Sequence, residues 1–156
     1  MLEAIDHVNL VVRDLDGMAA FYSDLLGMRI SKRVTISGKW IDHVVGLEGV
    51  EADVMYLDPP AGPRVELIRY RQPPGTRPDA VGASNTIGLR HLAFRVSGIE
   101  SLVEKLKRAG IRFFSDVQRV PPEQVSYGGD RQKFLVYFHD PEGNLLELCE
   151  YKDART

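Results

Sequence analysis

This chain of 156 residues repeats itself, and the repeat limits what it can fold into. Tyr56, Gly62, Glu66, Leu67 and Tyr70 recur 81 positions later as Tyr137, Gly143, Glu147, Leu148 and Tyr151. His7 recurs as His91 after 84 positions, so one loop is three residues shorter in the second half. Two copies of one supersecondary unit are expected, about 1–71 and 89–156, within a single domain over 1–156. The Pro-, Gly- and polar-rich stretch 72–88 reads as their linker.

Each half runs strand, helix, then several strands. Residues 5–12 read as the first strand. Asp14 is placed to cap a helix over 15–26, with Gly27 as its left-handed stop. Strands are expected near 29–36, 40–46, 52–58 and 64–70. In the second half, strand 90–96 precedes a helix over about 99–109. Ser97 and Glu100 are spaced as its capping box, and Gly110 stops it. Strands follow near 111–118, 133–138 and 144–151. The segment 120–130, with its Pro121-Pro122 and Gly128-Gly129 pairs, reads as a long loop.

The chemistry is repeated too. Each half offers one His and one Glu at matched places: His7 with Glu66, and His91 with Glu147. Strand alternation puts His7 on one face with Asn9 and Val11, and Glu147 with Leu145 and Cys149. Val8, Leu10, Val12, Leu146 and Leu148 take the opposite faces, where the helices can cover them. Two imidazoles and two carboxylates suit one divalent metal: Zn²⁺, Ni²⁺, Co²⁺, Mn²⁺ or Fe²⁺. Arg95 is a candidate ligand for an anionic substrate group, and Trp40 and Tyr127 are candidate pocket walls. His43 and His139 lie outside the pattern.

Composition narrows the function classes. The chain is 44% hydrophobic and 27% charged with a net charge of −2, as in ordinary soluble globular proteins. No basic patch points to nucleic acid, and no polybasic or long apolar run points to a membrane. Met1–Asp6 does not read as a signal peptide. Cys149 is the one cysteine, so no intrachain disulfide forms and a cytoplasmic location is expected.

Several motifs together resemble the vicinal oxygen chelate superfamily, which includes glyoxalase I, methylmalonyl-CoA epimerase, extradiol dioxygenases and bleomycin-binding proteins. They are Asp6-His7-Val8, Leu25-Leu26-Gly27-Met28, Val65-Glu66-Leu67-Ile68, Arg90-His91-Leu92-Ala93-Phe94 and Asp140-Pro141-Glu142-Gly143-Asn144-Leu145-Leu146-Glu147. The resemblance implies an α+β fold of paired β-α-β-β-β modules, forming a curved mixed sheet around a metal held by His7, Glu66, His91 and Glu147. It implies a small metal-chelating substrate, a homodimer, and proton transfer next to a carbonyl by a lyase or isomerase. Glu147 is then the leading base and Glu66 its counterpart or a fixed ligand. Val11 and Tyr70 stand where glyoxalase I usually has an arginine and an asparagine, and Glu66 stands where the epimerase has a glutamine. The substrate therefore stays open. An Fe²⁺ dioxygenase using His7, His91 and Glu147 is the alternative, and a non-catalytic drug-binding protein is a second.

Overall fold

The computed structural model describes residues 1–125 and 127–153. It divides into two compact units, Met1–Pro78 and Asp79–Thr156. The first contains β1 (His7–Val11), α1 (Leu15–Ala20), β2 (Arg29–Ser37), α2 (Lys39–Val45), β3 (Glu51–Asp58) and β4 (Arg64–Gln72). The second contains β5 (His91–Arg95), α3 (Ile99–Arg108), β6 (Gln118–Arg119), β7 (Arg131–His139) and β8 (Leu145–Asp153). Each unit holds a four-stranded sheet, ordered β1-β4-β3-β2 in one and β5-β8-β7-β6 in the other. The first strand of each sheet runs parallel to the last, and the remaining pairs are antiparallel. The expected α+β fold of repeated β-α-β-β-β modules is what the chain forms.

In both units one sheet face packs on α1 or α3, and the opposite face carries the His and Glu pair. In the first, α1 covers β3 and β4, burying Leu15, Met18 and Ala19 against Met55, Leu57, Val65 and Leu67. In the second, α3 packs on β8 and buries Ile99, Val103 and Leu106 at helical spacing beside Leu146 and Leu148. Each fully buried leucine there contributes about 2 kcal/mol. Asp14 caps α1 through the Gly17 N–H at 3.0 Å, and Gly27 takes φ 75° at the far end, both as expected. Between them the helix changes at Phe21–Leu25 into one π-helical turn.

Three local expectations fail. Residues 40–46 form α2, not a strand. Ile41 drops into a cluster with Val50 and Ala52, and the Asp42 carboxylate accepts the Gly49 and Val50 N–H groups, closing the turn that follows. Of 111–118, only Gln118 lies in a strand, with an isolated bridge at Phe113. Ser115 and Gln118 both spend their side chains on the Asp116 carbonyl, holding a local turn in place of a ladder. Ser97 and Glu100 do not cap α3. Gly98 is its N-cap at φ 70°, and the Glu150 carboxylate accepts the Gly98 and Ile99 N–H groups at 2.8 and 3.0 Å. Among the described residues no helix is long and apolar enough to cross a membrane.

Candidate functional site

Cross-strand pairing puts a similar cluster on the face of each sheet opposite α1 or α3. In the first unit Asn9 pairs with Glu66 across β1 and β4, and Tyr56 pairs with Glu66 across β3 and β4. Glu66 is buried to 8% exposure, with His7 Nε2 at 3.5 Å from its Oε2. Asn9 donates its Nδ2–H to the same oxygen at 2.9 Å. The Tyr56 hydroxyl also donates to Glu66. That hydrogen bond, with burial and the carboxylate's charge adding to it, pushes the Tyr56 pKa up to about 12. His7 Nδ1 lies 2.8 Å from Asp6, an arrangement that fixes the ring and turns Nε2 toward Glu66.

In the second unit Ala93 and Tyr137 flank Glu147 in the ladder. Glu147 is 3% exposed, and His91 Nε2 lies 3.2 Å from its Oε2. Lys133 Nζ sits 2.7 Å from the other oxygen, Oε1. Lys133 is thus the charged partner of that buried oxygen. Burial opposes the charge on Lys133, but its bonding and attraction to Glu147 outweigh this and raise its pKa. Burial, and then the charge of Glu147, hold the Tyr137 phenol above its ordinary pKa. Asp140, in the turn before β8, accepts N–H bonds from Glu142, Asn144 and the Asn144 side chain. Those bonds explain the Asp-Pro-x-Gly-Asn motif: it sets the entry of the strand that carries Glu147.

The structure thus joins His7 to Glu66 and His91 to Glu147. Among the described residues no group of three or more His, Cys, Asp or Glu is gathered for a metal, so the donors come as one pair per unit. Each pair fits a divalent cation. Two donors bound cis to one ion at about 2.1 Å lie roughly 3–3.5 Å apart, the spacing found in both pairs.

Arg95 and Tyr127 come together around Tyr151. The Arg95 guanidinium carbon lies 5.3 Å from the Tyr151 ring centre, and Tyr127 meets that ring edge-on at 5.4 Å. Trp40 stands exposed on α2. His43 lies in the last turn of α2, and His139 bonds the Gly82 carbonyl at 2.8 Å, both away from the pairs. Sequence reasoning missed Asn9, Tyr56, Lys133 and Tyr137 as partners of the carboxylates. The repeat did mark Tyr56 and Tyr137, each ten residues ahead of its Glu, and that was the signal to follow.

The fold is matched by known proteins. A family model for the Glyoxalase/Bleomycin resistance protein/Dioxygenase superfamily matches residues 4–148. The chain belongs to that superfamily. It is 26% identical to a 2-epi-5-epi-valiolone epimerase from Actinomyces sp., over 93% of this chain and 78% of that protein. It is 25% identical to the mitochondrial methylmalonyl-CoA epimerase of Homo sapiens, over 94% and 73% respectively. The crystal structure of a glyoxalase family protein from Bacillus cereus superposes with TM-score 0.78 at 28% identity, covering 97% of this chain and 95% of that one.

Proposed function

We propose that this member of the superfamily is a metal-dependent isomerase or lyase that moves a proton next to a carbonyl of a small, oxygen-chelating substrate. The observation that carries the reading is a buried carboxylate beside an imidazole and a tyrosine, repeated once per unit. A buried acid is costly unless it is paired or put to use, and chance would not leave two at matched positions. The two epimerase relatives support isomerisation over other chemistries of the superfamily.

In this reading His7, Glu66, His91 and Glu147 hold one divalent cation. When bound, the cation supplies Lewis-acid stabilisation of the negative charge that develops on the substrate oxygens. Glu147 accepts the proton from the carbon beside the carbonyl. Lys133 is positioned to hold the Glu147 carboxylate while it would act as base. Glu66, held by Asn9 and Tyr56, stays a fixed ligand, and Glu147 returns to the substrate the proton it took.

The test is solvent exchange. Zinc-, nickel- or cobalt-loaded protein is screened against acyl-CoA esters and thiol adducts of 2-oxoaldehydes in D₂O. Deuterium should enter the product, and Glu147→Gln should slow turnover roughly 10²–10⁴-fold, the usual worth of a positioned general base. Glu66→Gln should cost less. Product formed with stoichiometric oxygen uptake and no deuterium would replace proton transfer with dioxygenation.

A further inference from the structure

On the chemical face of the second sheet, beyond Glu147, lies an open recess of ≈ 500 Å³ lined by Ala93, Arg95, Tyr127, Arg131, Cys149 and Tyr151. We propose that this recess is the subsite for a carboxylate or phosphate group carried by the substrate, with Arg95 and Arg131 as its anion ligands and the Tyr127–Tyr151 pair as its wall. The proposal rests on the isomerase reading and adds to it that the substrate is an anion with a defined orientation.

The two units differ at these positions, and the difference points to a ligand. Arg95 pairs with Cys149 in one ladder as Val11 pairs with Ile68 in the other, and Lys133 pairs with Tyr151 as Ala52 pairs with Tyr70. The 81-residue shift likewise sets Arg131 against Val50. The first unit is therefore apolar here, and Ile41 of α2 packs over Val50 and Ala52. The second has three cations at the same places and, among the described residues, no corresponding helix. Side chains that need only fill space would not be cationic around one cavity.

Each cation is only partly answered. Lys133 is taken by Glu147. Arg131 has a distant partner, the largely exposed Asp153 at 3.8 Å. Arg95 has no carboxylate partner among the described residues. Its guanidinium lies over the Tyr151 ring, and stacking of that kind occupies the planar face and leaves the N–H edge free to donate. Bidentate arginine is the usual protein answer to carboxylate and phosphate.

Strand geometry also sets the reach. Cys149 and Tyr151 lie two and four residues beyond Glu147 on one face, roughly 7–13 Å along β8. The anionic group is thus several bonds away from the carbon that loses its proton.

The test titrates ¹⁵N-labelled full-length protein with inorganic phosphate and, separately, with glutarate, following backbone and arginine side-chain resonances. At millimolar anion, shifts should centre on Arg95, Arg131 and Tyr151. Tighter phosphate binding assigns a phosphorylated substrate, and tighter glutarate binding a carboxylic one. Arg95→Gln should weaken binding about tenfold, the worth of one charge-assisted contact, and Arg95→Lys should restore part of it. Zinc affinity of Arg95→Gln should match wild type, which separates this subsite from the metal reading. Loss of zinc binding in wild-type protein with anion shifts intact would sink the metal reading alone. Shifts absent, or centred elsewhere, overturn the subsite.

Discussion

Lys133→Met removes the ammonium 2.7 Å from Glu147 Oε1 and leaves a buried carboxylate facing a thioether. Breaking a fully buried ion pair by deleting one partner costs about 3–5 kcal/mol. The Lys133 side chain is 15% exposed, so some water reaches the gap and reduces that figure. The expected destabilisation of metal-free protein is about 2–3 kcal/mol, read as a fall of roughly 1.5 M in the urea midpoint at an m-value near 1.5 kcal/mol/M. Lys133→Met/Glu147→Gln should regain most of it, because the stranded charge is gone. Saturating zinc should stabilise Lys133→Met more than wild type, because the metal no longer competes with an ammonium for the same carboxylate. A single variant as stable as wild type, or a double variant no better than the single, would refute the account of Lys133 as partner to a buried charge. Equal loss with and without zinc would leave Lys133 as packing alone.

Replacing both imidazoles, His7→Ala with His91→Ala, should abolish stoichiometric divalent-metal binding measured by elemental analysis of untagged protein; full occupancy would end the four-ligand reading. Ultraviolet titration should find a tyrosine ionising only near pH 12, pushed there by the Glu66 hydrogen bond. A folded pKa above the unfolded value near 10 means this contact stabilises fully below about pH 10 and is lost as pH rises toward 12. Glu66→Gln should bring that ionisation down, and an unchanged titration would remove the Tyr56–Glu66 contact. The chain is expected to be a homodimer, because small sheets with open edges invite pairing; light scattering at micromolar concentration should then give twice the 17.5 kDa chain mass, and the single-chain mass would refute it.

Much of the fold was legible because strands and helices write their periods into the sequence. Leu146 and Leu148 alternate with Glu147, and the structure buries the leucines fully on the helix side. Where the sequence misled, a distant partner decided the outcome. The segment Trp40–Val45 is too short for its period to distinguish strand from helix, and Ile41 filling the space over Ala52 settles it. The local capping signal at Ser97 and Glu100 lost to Glu150, which reaches α3 from the end of the chain. Lys133 and Asn9 were illegible for the same reason: a residue's cross-strand neighbour depends on register, which only the folded ladder fixes.

The repeat also explains why its two carboxylates need not share a role. Glu66 is held by neutral donors, the Asn9 amide from the parallel neighbour β1 and the Tyr56 phenol from β3. At the place of Asn9 the second unit has Ala93, and its polar partner arrives instead from the antiparallel neighbour as a full positive charge, Lys133, where the first unit has Ala52. Neutral donors help hold a carboxylate that stays ionised and in place. An ammonium does something further: it offers a buried carboxylate a second counter-charge. A base at a metal centre must let go of the metal to accept a proton, and without that second partner the release would strand a charge in the interior, at a cost of several kcal/mol. Among the described residues Glu147 has such a partner and Glu66 has none of that kind. This is the physical reason to place the proton-transfer step on Glu147 and the fixed ligand on Glu66. It also predicts that exchanging the partners, with Ala93→Asn and Lys133→Ala together, would keep zinc bound while suppressing deuterium exchange. Exchange at the wild-type rate in that variant would show that release from the metal needs no charged partner.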